Sequence, residues 1–321
     1  MNTLVRTLAT PTRRRNCPTQ SLSRWLASAM RRVSASVSFS GHVVALAATV
    51  LTGVTPAGAL AREELTLTRQ DGQSMAAMVY RPQGQACRGI AMISPGAGGS
   101  EQGYTYLGEG LSSIGYLALV MGHQESGRQA LREYVQRKGL REGLGELITN
   151  ASAYRGRFMD IAAARQWARS HCEGPEQILV GHSMGAATVM IEAGARNKLA
   201  LTGAVAFDAY VALSPQGSGL IFPAQAWSTL RRPVLSITGT RDTELGGGSW
   251  ETRTEPFRDM AAGCKWLAVF DGATHMNLAG IAAPPTLEAS VVQVMGAFLD
   301  GARRNDCTPG AQADGLVIES K

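Results

Sequence analysis

Ile178-Leu179-Val180-Gly181-His182-Ser183-Met184-Gly185-Ala186 is the stretch on which the reading of this chain turns. Its first residues form a continuous apolar run, the mark of a strand buried on both faces, and the alanine-rich sequence after Ser183 reads as a helix. Between them lies G-x-S-x-G, which in a strand–turn–helix context marks a nucleophile elbow. Gly181 and Gly185 permit the tight turn, because a side chain at either would collide across it. The turn holds Ser183 in a strained conformation with its hydroxyl above the sheet, and the helix aims its positive end at that hydroxyl.

A serine hydroxyl is a poor nucleophile unless a base removes its proton as it attacks. Five histidines are available. His42 lies in the N-terminal segment, His182 belongs to the elbow, and His171 sits beside Cys172 at the opposite end of the strand. His275, in Asp271-Gly272-Ala273-Thr274-His275-Met276 after an apolar run ending at Phe270, has the chain order and position expected of the base. His123, after the fourth strand, is its rival. The third member must orient the imidazole and stabilise the imidazolium. Asp242 follows the strand-like Val234-Leu235-Ser236-Ile237-Thr238 and a glycine turn, giving the order Ser…Asp…His; Glu244 is the rival acid.

Acyl transfer also needs donors for the developing oxyanion. The Met184 amide at the helix N-terminus supplies one. Ser94-Pro95-Gly96-Ala97-Gly98-Gly99-Ser100, after the first central strand, brings a second, that of Ala97. These glycines do not form G-x-G-x-x-G, and no Lys-Ser/Thr follows, so a phosphate-cradling loop is disfavoured. No H-E-x-x-H or clustered His/Cys ligand set argues for a metal.

Outward from this centre, 65–69 and 76–80 alternate around an Asp71-Gly72 turn and read as a β-hairpin. Apolar runs at 90–94, 117–121, 178–181, 210–214, 234–238 and 266–270 alternate with helical segments at 106–114, 154–170, 184–195, 254–262 and 287–303. Such alternation signals an α/β chain with a parallel sheet covered on both faces. A charged excursion, 124–150, reads as helical and exposed, and is placed where it could cover the site.

The chain has 321 residues, 45% hydrophobic and 17% charged, with a net charge of +6, which suits a globular fold and excludes global disorder. Residues 1–61 hold seven arginines, no lysine and no acid; removing seven from 31 leaves 24 basic against 25 acidic residues over 62–321. The basicity therefore belongs to the N-terminus and gives no reason to expect nucleic acid. Arg31-Arg32, the apolar run 43–54 and Ala59-Leu60-Ala61 form the charged, apolar and small-x-small parts of an export signal. Cleavage is expected after Ala61, or after Ala59, leaving 62–321 as one domain. An uncleaved anchor is the alternative, but the apolar run is short for a span. A leader starting at Met30 has the usual length, and Arg31-Arg32 leaves a twin-arginine route open. Export suits the four cysteines that remain, Cys87, Cys172, Cys264 and Cys307, as two disulfides with three possible connectivities.

With these segments in order, 62–321 resembles an α/β-hydrolase over nearly its whole length. Within that superfamily, Ser-Pro-Gly-Ala-Gly-Gly-Ser-Glu-Gln-Gly-Tyr (94–104) and Leu-Gly-Glu-Gly-Leu-Ser-Ser-Ile-Gly-Tyr (107–116) resemble dienelactone-hydrolase-like and platelet-activating-factor-acetylhydrolase-like esterases. The resemblance to cutinase-like polyester hydrolases is looser. It implies the α/β-hydrolase fold, a mostly parallel eight-stranded sheet with helices on both faces, esterase chemistry and no cofactor. By matching motifs, Ser183, Asp242 and His275 take the triad, and Ala97 and Met184 the oxyanion hole. Two departures matter: Ser183 stands where true dienelactone hydrolases carry cysteine, and Ala97 and Pro215-Gln216 replace the aromatic residue and Pro-Trp step of polyester hydrolases. The topology also implies Cys87–Cys172 and Cys264–Cys307, both at the sheet edge away from catalysis. The expected protein is an exported serine esterase acting on a small-molecule ester, with no membrane span after cleavage. The alternatives are an amidase or thioesterase using the same triad, or a non-catalytic binding protein of this fold. Gln124, Glu125, Ser126, Gln216, Phe222, Trp227 and Trp250 are expected around the pocket.

Overall fold

The structure, a computed structural model, describes residues 62–244, 247–310 and 314–321. The leader assigned to 1–61 lies outside the described residues. The expected hairpin forms from β1 (Arg62–Thr68) and β2 (Ser74–Tyr80), antiparallel, with Leu65 opposite Ala77. Then follow β3 (Gly89–Ser94), α1 (Thr105–Ser113), β4 (Tyr116–Gly122), α2 (Arg128–Lys138), α3 (Leu140–Ile148), α4 (Ala151–Arg169), β5 (Glu176–His182) and α5 (Met184–Glu192). The chain continues through β6 (Ala209–Leu213), β7 (Val234–Arg241), α6 (Glu255–Asp259), β8 (Lys265–Thr274), α7 (His275–Leu278), α8 (Pro285–Arg304) and β9 (Leu316–Ser320).

These strands make one sheet in the order β1-β2-β4-β3-β5-β6-β7-β8-β9, parallel from β4 to β8. The expected count of eight is corrected to nine by β9, which pairs antiparallel with β8 at the far edge. β9 buries only Leu316 fully, with Ile318 packed partly against the core, and its apolar run, Leu316-Val317-Ile318, is only three residues long.

Alternate residues of the central strands feed two cores, as a sheet covered on both faces requires. Ile90, Met92, Leu117, Leu119 and Leu179 pack with α4 and α5; Ala91, Ile93, Ala118, Val120, Ile178 and Val180 pack with α1 and α8. α5 is buried along its whole length, which its alanines and absence of basic residues allow. The Asn150 side chain caps α4 by accepting from the amides of Ser152 and Ala153 at 2.8 and 3.2 Å. The 124–150 excursion forms a short 3₁₀ turn (Gln124–Ser126) followed by α2 and α3, and Leu131, Tyr134, Leu144 and Leu147 tie it to the core. Among the described residues no helix is long and apolar enough to cross a membrane.

Both disulfides form as paired from the resemblance, Cys87–Cys172 with Cα atoms 5.6 Å apart and Cys264–Cys307 with Cα atoms 5.2 Å apart. Cys87, Cys172 and Cys264 lie two, four and one residues before β3, β5 and β8, so both bridges lie at the N-terminal edge of the parallel strands. Each closes a long loop, 85 and 43 residues, and restricts the unfolded chain accordingly. Thiol titration of 62–321 unfolded without reductant is expected to find no free thiol. Replacing Cys87 and Cys172 together by alanine is expected to lower stability by about 2–4 kcal/mol in urea unfolding.

Candidate active site

Strand register brings three loops together at the C-terminal edge of the sheet. Ser94 pairs with Gly181 at the ends of β3 and β5, so the Pro95–Gly99 loop leaves the sheet beside the elbow. β7 and β8 shift register between Gly239 and Arg241, after which Arg241 pairs with Thr274. In parallel strands the next residues, Asp242 and His275, therefore emerge side by side. Gly239 makes this possible, since a Cβ there would strike Ala273.

Ser183 has φ 54° and ψ −115°, a conformation costly for a residue with a side chain, and it directly precedes α5. A Cβ at Gly181 would strike the Gly185 carbonyl, and one at Gly185 the Ser94 carbonyl. His275 is the first residue of α7, whose start is fixed by a capping box between Thr274 and Asn277. Its Nδ1 lies 2.8 Å from Asp242 Oδ1. The Nδ1 proton thus points at the carboxylate, which leaves the Nε2 lone pair free to accept. Asp242 is wholly buried, and its Oδ2 accepts from Thr238 Oγ1 at 3.0 Å. Burial raises the Asp242 pKa, but the His275 hydrogen bond and the nearby Arg253 charge outweigh it and hold the carboxyl below its ordinary value.

Ser183 and His275 line one cavity of about 420 Å³, with Gly96, Ala97, Tyr104, Arg128, Leu144, His182, Met276 and Ile281 among its other walls. Neither the Ala97 nor the Met184 amide donates a hydrogen bond among the described residues. Met184, at the first turn of α5, has no intrahelical acceptor for its N–H. Gly96 packs so tightly that a Cβ on it would lie 3.3 Å from Ser183 Cβ.

Comparison with solved structures places this architecture. The esterase domain of a Rhodothermus marinus protein aligns with a TM-score of 0.50 at 19% identity, covering 76% of this chain and 98% of that one. A Klebsiella pneumoniae protein described as a dienelactone hydrolase aligns with a TM-score of 0.55 at 19% identity, covering 76% of this chain and 99% of that one. The fold is that of the α/β-hydrolases. No protein-family model and no curated protein matches the sequence.

In this α/β-hydrolase fold the rival residues stand elsewhere. Glu244 accepts from the Gly217 amide through Oε1 at 3.1 Å and makes no bond to His275. His123 makes a hydrogen-bonded Ser–His–Asp string of its own, with Nε2 2.8 Å from Ser94 Oγ and Nδ1 2.8 Å from Asp160 Oδ2. All three residues are almost fully buried, at 0%, 2% and 1% exposure. Burial holds the His123 pKa well below the ordinary imidazole value, so it is a neutral link under the loop. The same network contains Arg157, which donates to Ser94 Oγ, Ser126 Oγ and the Pro95 carbonyl at 3.0, 2.9 and 2.7 Å.

Several expected pocket residues do other work. Glu125 pairs with the buried Arg69 at 2.7 Å, and Ser126 accepts from the Gly98 amide beneath the loop. Gln124 and Gln216 line neighbouring cavities that exclude Ser183. Phe222 and Trp227 are core residues with ring centroids 5.1 Å apart, because the segment carrying them folds back over α5. Trp250 packs against a separate small cluster of Phe257, Leu267 and Val269.

Arg253 is the neighbour that sequence reasoning missed. It is 3% exposed, and its Nε lies 2.8 Å from Asp242 Oδ1 and donates to the Asp242 carbonyl at 2.9 Å. It also donates to the carbonyls of Ser214, Pro215 and Thr243. One guanidinium thereby fastens the loops after β6 and β7 to the acid. Nothing in Glu251-Thr252-Arg253-Thr254 signals this, since its partners come from loops brought near only by folding. An Arg253→Met variant leaves the buried carboxylate without its cationic partner and is expected to lose about 3–5 kcal/mol at pH 7. A lowered carboxyl pKa contributes stability above the unfolded value and loses it as pH falls through the folded one. The deficit of the variant should accordingly narrow in acid, where its Asp242 protonates first; urea unfolding from pH 7 to pH 4 measures this.

Proposed function

We propose that this chain is an exported serine hydrolase that cleaves carboxylic esters through Ser183, His275 and Asp242. The observation that carries the reading is the His275–Asp242 hydrogen bond of 2.8 Å beside a strained Ser183 in one cavity. His275 Nε2 accepts the Ser183 proton as Oγ attacks the ester carbonyl, and Asp242 stabilises the resulting imidazolium. The amides of Ala97 and Met184, which make no other hydrogen bond among the described residues, serve as the oxyanion donors in this reading. His275 then protonates the departing alcohol, and water activated by the same imidazole hydrolyses the acyl-enzyme.

Ala97, Leu144, Met276, Ala279 and Ile281 give the cavity an apolar wall suited to an acyl chain. Its size is at the small end of ligand pockets, which favours short acyl groups. Two disulfides and the N-terminal signal pattern support export to an oxidising compartment. The test is turnover of p-nitrophenyl acetate, butyrate and octanoate by 62–321 and by its Ser183→Ala variant. The expected result is hydrolysis that favours the two shorter esters and falls at least about 10³-fold in the variant. Equal rates in both proteins would remove Ser183 as the nucleophile.

A further inference from the structure

His182, the residue before the nucleophile, is buried and hydrogen-bonded at both ring nitrogens. Its Nε2 lies 3.0 Å from the backbone carbonyl of His275, and its Nδ1 lies 3.0 Å from Tyr104 Oη. Tyr104 Oη in turn accepts the Gly96 amide at 3.0 Å. The direction of each bond follows from the first. A carbonyl only accepts, so the proton of His182 is on Nε2. Burial, and then the neighbouring His275, lower the His182 pKa to about 3, so the ring is neutral and Nδ1 is an acceptor. Tyr104 must then donate to it, and burial raises the phenol pKa to about 12, which keeps that proton in place. The result is one directed chain, from Gly96 N–H to Tyr104 O–H to His182 to the carbonyl of His275, with every donor and acceptor matched.

The chain joins three segments distant in sequence: the loop after β3, the elbow after β5 and the start of α7. Gly96 immediately precedes Ala97, and His275 carries the imidazole beside Asp242. From the other side the Arg157 guanidinium donates to the Pro95 carbonyl at 2.7 Å and approaches that of Gly96 at 3.5 Å. A trans peptide sets C=O and N–H in opposite directions, so a Gly96 carbonyl drawn toward Arg157 turns the Ala97 N–H away from it. Gly96 is therefore gripped at both its amide and its carbonyl.

We propose that Tyr104 and His182 are positioning residues that hold the oxyanion-binding loop and the backbone of the catalytic base at a fixed separation. The proposal rests on the ester-hydrolase reading above. Misplacing such groups by a fraction of an ångström weakens the transition state more than the ground state, so the loss should fall on kcat.

The experiment compares wild type, Tyr104→Phe, His182→Leu, His182→Gln and the Tyr104→Phe/His182→Leu double variant. Active sites are counted by a p-nitrophenyl phosphonate that labels Ser183, and butyrate ester hydrolysis is expressed per titrated site. Tyr104→Phe and His182→Leu are each expected to lower kcat about 10–100-fold with KM changed less than about threefold. The double variant should be no slower than the worse single one, because both changes cut one chain. Glutamine carries a donor and an acceptor and should restore most of the rate at position 182. Unchanged kcat per titrated site in Tyr104→Phe, or losses that multiply in the double variant, would overturn the proposal and leave the esterase reading standing. A folded wild type that the phosphonate does not label would overturn both.

Discussion

Gly185 lies so close to the Ser94 carbonyl that no side chain fits between them. That contact draws the loop after β3 down onto the first turn of α5 and leaves the Ala97 and Met184 amides beside one serine. Much of the surrounding polar structure follows from it. Backbone carbonyls pressed into this space lose water and need donors from the protein. Arg157, Tyr104 and the Ser94–His123–Asp160 string supply bonds that a looser loop would take from solvent.

Three buried arginines supply such donors, Arg157 and Arg253 to backbone carbonyls and Arg69 to carboxylates. Arg69, Arg157 and Arg253 are each at most 3% exposed, and each binds groups from loops distant in sequence. The planar fork offers five N–H donors in a fixed geometry, two more than the lysine ammonium. Arg69 joins Asp71 of the first hairpin, Glu125 and Asp160; Arg253 does the same for the loops around Asp242. The desolvation of such charges is repaid only when nearly every donor is used, and the geometry here satisfies that condition. Lys265 follows the same logic at the opposite edge. It is fully buried and donates to the carbonyls of Arg232 and Gly263, and burial lowers its pKa to about 8.

The central strands were legible because burial on both faces makes them continuous apolar runs, and the elbow because its glycines have a steric cause visible in five residues. Ser183, Asp242 and His275 could be located since each ends or follows such a strand. β9 was not legible, because its apolar run, Leu316-Val317-Ile318, is only three residues long and an edge strand is held mainly by its ladder. Phe222 and Trp227 were misplaced for a related reason: an aromatic residue in a loop reads alike whether it faces a cavity or folds back onto a helix. Arg253 and Arg157 could not be read at all. Their roles depend on carbonyls, which every residue has, and on distances that only the folded chain defines.

The strand directions have a consequence for how the molecule can be attached to anything else. Arg62 lies opposite Tyr80, which lies opposite Ala118 near the start of β4, while Lys321 exchanges backbone hydrogen bonds with Lys265 at the start of β8. Arg62 and Lys321 therefore stand on opposite flanks of the sheet, yet both at the side that carries the disulfides. A bead or carrier coupled to either of these side chains would stand at the edge of the sheet opposite the Ser183 cavity.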